Sequence, residues 1–165
     1  MSGHHLAQLN IARLIEPIDS PRLAEFVANL DRINALAEQS PGYVWRLQTD
    51  DGDATAIRPF GEDYLVNVSV WRDIESLHAF VYRSEHTGIM RRRKEWFEKM
   101  LEAYSVLWWI PERHTPTVEE AKSRLETLQA VGPSPEAFTF KHPYPAPDDR
   151  RATGTAGLDD SCRAY

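Results

Sequence analysis

The stretch YLVNVSVW, residues 64–71, gives the clearest secondary-structure signal in this chain of 165 residues. Its valines recur at every second position and are separated by polar or aromatic residues, a period of two that is typical of a half-buried β-strand. We expect the valines to face the helices of the fold. The intervening residues are then expected to share the opposite, uncovered face of a sheet: Asn67, Ser69 and Trp71.

Periodicity on both sides of this strand predicts the other elements. Alternating residues predict strands, and apolar residues at helical spacing predict helices. Ser20-Pro21 is expected to open the first helix, Asp73 to cap the second helical region, and Thr117 to begin a capping box for the last helix. The predicted strands are 5–14, 43–48, 64–71 and 104–110, and the predicted helices are 21–38, 73–81, 85–99 and 117–131.

The order of these elements predicts the fold class. Strand, helix, two strands, helix and strand form the βαββαβ pattern of a ferredoxin-like α+β fold, with an antiparallel sheet and helices on one face. The helix over 117–131 and a short strand over 137–140 are additions to that plan. We predict one domain over residues 1–140. The proline-rich and charged segment 141–165 is predicted to be a disordered tail.

Composition excludes several classes of protein. With 19 Lys plus Arg against 25 Asp plus Glu, the net charge is −6, and the cations are too scattered for a general nucleic-acid surface. No run approaches the roughly 20 apolar residues of a membrane span. A single cysteine, Cys162, excludes an intramolecular disulfide, and the N-terminus lacks a secretory signal. A soluble, cytoplasmic protein is therefore expected.

The first strand adds polar residues to the same face of the sheet. If Leu9 and Ile11 face the helices, Gln8 and Asn10 join Asn67, Ser69 and Trp71 on the other side. A bare face of this kind usually marks an interface or a ligand groove. We expect a homodimer that brings two sheets together around a pocket for a small aromatic or hydrophobic ligand, with Trp45 and Trp108 also lining it. The alternative is that Asn67 and Ser69 face solvent.

Two residues of the helical region after Asp73 are candidates for chemistry. His86 can exchange a proton near neutral pH, and Arg93, seven residues later, shares its helical side and can hold an anionic or enolate substrate. The alternative for each is a solvated helix face. The sequence contains no histidine pair at metal-ligand spacing, no glycine-rich phosphate loop and no nucleophile elbow, so we expect no metal.

Five segments carry a resemblance to a known family: LAQLNIARL, SPGYVWRLQ, VNVSVW, FVYRSEHTGIMRRRKEWF and LWWIPERHTPTVEEA. The chain resembles an uncharacterised bacterial domain-of-unknown-function family in the dimeric α/β-barrel superfamily, beside the antibiotic-biosynthesis monooxygenases. That superfamily also includes haem-degrading members, which use an Asn on the first strand and a Trp and a His in the second helical region. Asn10 matches, but Phe80 and Met90 stand at the other two positions.

The resemblance implies a cofactor-independent monooxygenase that acts on an aromatic or enolic substrate. In this hypothesis His86 is the base and Trp71 packs on the substrate ring. Asn10, Asn67 and Ser69 hold the developing oxyanion, and Arg93 adds positive charge. The alternative is a dimeric stress protein that binds a small molecule or haem without turnover, and fold membership does not decide between the two.

Overall fold

The computed structural model describes residues 3–83, 87–88, 91–100 and 102–147. Within these ranges four strands, three helices and two short 3-10 turns follow one another along the chain. The strands are β1 (His4–Arg13), β2 (Tyr43–Arg46), β3 (Tyr64–Trp71) and β4 (Ser105–Pro111); the helices are α1 (Ala24–Gln39), α2 (Ile74–Arg83) and α3 (Val118–Val131); the turns are Pro21–Leu23 and Arg93–Glu95.

The sheet has the strand order β2-β3-β1-β4, and every neighbouring pair is antiparallel. The first and third strands are central, and α1 and α2 are the two connections that cross from one strand to the next. This topology confirms the predicted ferredoxin-like α+β fold. Among the described residues no helix combines the length and the apolar character that a membrane crossing requires.

Two of the three predicted helix starts are confirmed by their capping bonds. An Asp73 carboxylate oxygen accepts from the Ser76 amide at 2.8 Å and from the Ser76 hydroxyl at 2.6 Å. The Thr117 hydroxyl accepts from the Glu120 amide at 3.1 Å, as in a capping box. Ser20 makes no side-chain capping bond, because Pro21–Leu23 forms a 3-10 turn and α1 begins only at Ala24.

The predicted helix over 85–99 is wrong at its C-terminal end. Two bulky neighbours, Trp96 and Phe97, are both buried under α1, and Phe97 packs edge-on against Phe26 with ring centroids 5.0 Å apart. The backbone turns toward β1 to allow this: the Glu98 amide donates to the Arg13 carbonyl at 2.8 Å. The Trp96 carbonyl and the Glu98 amide pair with the chain at the end of β1, through the bridge between Leu14 and Phe97, and are not available for helical bonds. Only a 3-10 turn forms over Arg93–Glu95.

The prediction that the valine face packs against the first two helices is wrong. Val66, Val68 and Val70 contact α3 and residues 45–60 instead, and α1 and α2 cover the opposite face. The reason is that both faces are largely apolar and that α3 has an apolar stripe of its own to bury. Its buried residues Ala121, Leu125 and Leu128 take the valine face.

The sheet therefore has chain on both faces, and no bare sheet face is found among the described residues. Trp108, expected to line a pocket between two copies, is fully buried in the valine-face core, and its indole N–H donates to a Glu120 carboxylate oxygen at 3.0 Å. His114 contacts the other oxygen of that carboxylate at 2.6 Å. Glu120 thus ties the first turn of α3 to β4.

The segment after α3 returns to the sheet. The amide and carbonyl groups of Phe138 pair with those of Leu107 at 2.8 Å, which makes a single bridge in place of the predicted short strand. The Trp109 indole N–H donates to the Tyr144 carbonyl at 2.8 Å, and the Tyr144 ring packs on Phe138. Contacts with the domain therefore continue to Tyr144, whereas residues 148–165 of the predicted tail lie outside the described ranges.

Candidate functional site

The central strands carry a group of polar side chains on the face beneath α1 and α2. Strand register places Gln8 opposite Ser69 and Asn10 opposite Asn67. The predicted sharing of one face by these four residues and Trp71 is confirmed, but that face is interior and is not open to a second copy of the chain. We call the four residues the polar cluster.

Hydrogen bonds join the polar cluster into one network. The Asn10 amide donates to Gln8 Oε1 at 2.9 Å, and Gln8 Nε2 donates to Ser69 Oγ at 2.8 Å and to Asn67 Oδ1. The Trp71 indole N–H also donates to Ser69 Oγ, at 2.8 Å. These bonds determine the orientation of the Gln8 side-chain amide, because its oxygen accepts a hydrogen bond and its nitrogen donates to Ser69 and Asn67.

One acceptor of the network is left over. Asn10 Oδ1 is buried and has no hydrogen-bond partner among the described residues. Gln8 and Ser69 are only 3% and 6% exposed, so the cluster is removed from bulk water. Buried polar groups without a partner are rare in native proteins and are often associated with function.

The polar cluster lines a cavity of about 30 Å³ between the sheet and the two helices. This volume has room for about two water molecules. A second cavity of about 40 Å³ lies toward residues 53–55 and shares Asn34, Arg46 and Asn67 with the first. The remaining lining of the first cavity is largely apolar and comes from α1 and α2, together with the indole of β3: Ile33, Ala37, Trp71, Leu77, Phe80 and Val81.

Aromatic rings close one side of the first cavity. Phe80 stacks on Trp71 with ring centroids 5.1 Å apart, and Tyr43 meets the same indole edge-on at 5.7 Å. Burial raises the pKa of the Tyr43 hydroxyl, and the charge of Glu38 raises it further against the opposing effect of Arg46. Tyr43 is therefore a neutral phenol at physiological pH.

Arg46 is the charged residue of the first cavity that sequence reasoning missed. Its side chain is 12% exposed, and its Nε donates to Glu38 of α1 at 2.8 Å. Strict alternation from Tyr43 would point Arg46 to the valine face. A bulge between Tyr43 and Trp45 shifts the register and turns Arg46 to lie beside Ser69. No residue pattern in this short strand signals the bulge.

The remaining predicted site residues lie elsewhere or outside the described ranges. The same bulge turns Trp45 to the valine face, where it packs against the core that also contains Trp108. Arg93 contacts Tyr104, with its guanidinium 5.4 Å from the ring centroid, and does not line either cavity. The structure therefore does not bring Trp45, Trp108 or Arg93 to the polar cluster. His86 is not among the described residues.

The first cavity does not fit haem as described. Its described lining contains no histidine, cysteine, methionine or tyrosine to bind iron. Met90, at the family position of the iron-binding His, lies outside the described residues. Across the described ranges, no three His, Cys, Asp or Glu residues gather as ligands for a metal ion.

Comparison with known sequences gives one family. The family described as "Domain of unknown function (DUF3291)" matches residues 5–154, which is most of the chain. No curated protein matches the sequence.

Two solved structures show partial similarity. SnoaB, a cofactor-independent oxygenase from Streptomyces nogalater, is 16% identical with a TM-score of 0.42, over 68% of this chain and 96% of its own. A protein of unknown function from Nitrosomonas europaea is 14% identical with a TM-score of 0.43, over 69% of this chain and 94% of its own. At these values neither similarity bears on the reaction.

Proposed function

The chain belongs to the DUF3291 family, and from the chemistry of its first cavity we propose that it is a small-molecule enzyme of the cofactor-independent monooxygenase type. Its substrate is an aromatic or enolic compound that binds between the sheet and helices α1 and α2. Because the cavity has room for about two water molecules, these helices must move away from the sheet to admit a ring. The observation that carries this proposal is the buried polar cluster, with its unpartnered Asn10 Oδ1, against the indole of Trp71.

The lining suits a substrate with a flat ring and oxygen substituents. Trp71 and Phe80 offer aromatic surface, and the amides and hydroxyl of the polar cluster offer hydrogen bonds beside it. Donors fixed in advance by a network stabilise negative charge that develops on a substrate oxygen. In this proposal the side-chain donors of Asn67 and Ser69 hold the enolate oxygen, as the sequence hypothesis assigns. Asn10 takes a different role, because its unpartnered Oδ1 is an acceptor and suits a hydroxyl group of the substrate.

The proposed reaction oxidises a ring CH₂ group whose carbanion is conjugated, through fused aromatic rings, with a ketone on the opposite side of the same ring. A proton leaves this carbon, and the resulting carbanion gives electrons to O₂ and forms a bond to one oxygen atom. Protonation gives a hydroperoxide, which loses water and leaves a carbonyl group. The CH₂ group and O₂ become C=O and H₂O, so the substrate is itself the reductant and no further electron donor is required.

Proton removal is assigned to His86, as in the sequence hypothesis. The described lining of the first cavity contains amides, a hydroxyl, an indole and a guanidinium, and no carboxylate or imidazole. The expected charge from Arg93 is not part of the proposal, since Arg93 contacts Tyr104.

The test uses 1,8-dihydroxyanthrone, which has such a CH₂ group, under ¹⁸O₂ with the full chain. We expect oxygen uptake above the rate without protein, and one labelled oxygen atom in the new carbonyl group. Asn10→Ala should slow turnover and His86→Gln should abolish it, while the exposed amide variant Gln39→Ala retains it. Uptake no faster than without protein would overturn this reaction.

A second candidate is a binding protein without turnover, and the absence of a base from the described cavity lining favours it. It predicts that the anthrone quenches tryptophan fluorescence without oxygen uptake. A homodimer across the sheet face is retained as a proposal for either function. Because α3 covers the valine face, such a dimer requires α3 to move or to exchange between copies.

A further inference from the structure

We propose that Arg46 selects an anionic ligand, by binding a carboxylate or enolate oxygen where the two cavities meet. This inference rests on the proposed function only in requiring that the cavities bind a small molecule, and it holds for enzyme and binding protein alike. It assigns to Arg46 the electrostatic role that the sequence hypothesis gave to Arg93.

The guanidinium of Arg46 is only partly paired. Its Nε donates to Glu38 at 2.8 Å, but neither Nη1 nor Nη2 makes a hydrogen bond to any described residue. The side chain is only 12% exposed, so most of it lies in the interior beside the two cavities. Charged donors in such a position form their strongest bonds with anionic oxygens, often two at once.

The position of Arg46 is built into the strand. The bulge between Tyr43 and Trp45 brings Arg46 level with Ser69, which is itself opposite Gln8. Arg46 and Asn67 line both cavities, as does Asn34 from α1. A ligand that spans the two cavities must therefore pass this residue.

The polar cluster supplies the complementary group. Asn10 Oδ1 is an unpartnered acceptor on the first cavity, so it fits a ligand O–H donor. Phe26, Leu30 and Leu65 make the second cavity apolar on one side, which suits a hydrocarbon part. The ligand class is a small aromatic or enolic acid with both a hydroxyl group and an anionic oxygen.

The test compares two probes of nearly equal shape, 4-hydroxybenzoate and its neutral amide, 4-hydroxybenzamide. Affinities are measured by NMR titration of the isotope-labelled full chain, with the side-chain amides of Asn34 and Asn67 as reporters. We expect the acid to bind about tenfold or more tightly than the amide, the difference that one charge-assisted bond provides. Arg46→Gln should remove this preference and leave amide binding in place, and Arg46→Lys should restore part of it.

Arg13→Gln is the matched control, because Arg13 also forms an ion pair, with Glu98 at 3.2 Å, but is 47% exposed and lines neither cavity. It should preserve the preference for the acid, and thermal unfolding verifies that each variant is folded. Equal binding of both probes by the native chain, or an unchanged preference in Arg46→Gln, would overturn the role of Arg46 and leave the cavity as a binding site. Failure of both probes to shift Asn34 and Asn67 would overturn the cavity itself.

Discussion

Gln8 and Ser69 face each other across β1 and β3, and the Gln8 amide nitrogen donates to the Ser69 hydroxyl at 2.8 Å in the interior of the protein. The same amide accepts from Asn10 and donates to Asn67. Gln8 is therefore the member of the polar cluster that bonds to each of the other three.

Gln8→Leu should destabilise the fold. Leucine fills similar space but leaves the Asn10 amide without its buried acceptor, and an unmet buried group costs about 1–3 kcal/mol. Urea unfolding is the measurement, with the exposed amide Gln48→Leu as its control within about 0.5 kcal/mol of the native chain. Equal midpoints for Gln8→Leu and the native chain would contradict a stabilising network.

Leu125→Ala should reveal how strongly α3 holds the valine face. Leu125 is fully buried in that core, and large-to-small changes at such positions cost about 2–5 kcal/mol. Val131→Ala on the same helix is the control, because Val131 is 73% exposed. Chemical unfolding that gives the same small change for both variants would mean that α3 is not packed on the sheet as described.

Asp73→Ala should weaken the start of α2 by about 1 kcal/mol, the usual contribution of an N-cap. Burial acts to raise the pKa of Asp73, but hydrogen bonds from Ser76 and the neighbouring Arg72 outweigh it and lower the pKa below its ordinary value. A carboxylate whose pKa is lower in the folded state stabilises the fold above its ordinary pKa. That stabilisation is lost as the pH falls through the lowered value.

Asp73→Asn separates the charge from the cap, because asparagine retains an oxygen acceptor but does not titrate. Thermal unfolding from neutral to acidic pH should show the native chain losing its advantage over Asp73→Asn as acid is added. A constant difference across that range would rule out the ionised Asp73 as its source.

The homodimer proposal is tested by measuring the molar mass of the full chain by light scattering as it elutes from a size-exclusion column. A dimeric mass is expected if two copies meet across their sheets. In that case Leu125→Ala, which loosens α3, should change the dissociation constant. A monomeric mass at all accessible concentrations would exclude the dimer and leave each cavity within one chain.

Sequence periodicity predicted the fold better than it predicted the faces of the sheet. The alternation in β3 identifies a strand and separates the valines from Asn67 and Ser69, because a period of two is a local property. Which side receives α1 and α2 depends on competition with α3 for apolar surface. That competition is decided by tertiary packing and leaves no local pattern.

The residues of the candidate site could likewise be predicted from the sequence only in part. Asn10, Asn67, Ser69 and Trp71 could be grouped from alternation alone, since β1 and β3 are regular. Arg46 could not be added to them, because one inserted residue reverses the direction of every side chain after it. Trp45 was misplaced for the same reason.

The covering of the valine face by α3 has a consequence for synthesis of the chain. The strands leave the ribosome before residues 118–131 do. Their valines and the Trp108 ring therefore remain exposed to solvent while the last helix is still inside the exit tunnel. Apolar surface exposed at this stage is the kind that chaperones bind and that drives aggregation. Slow translation between β4 and α3 would lengthen this vulnerable period, and loss of α3 would make it permanent.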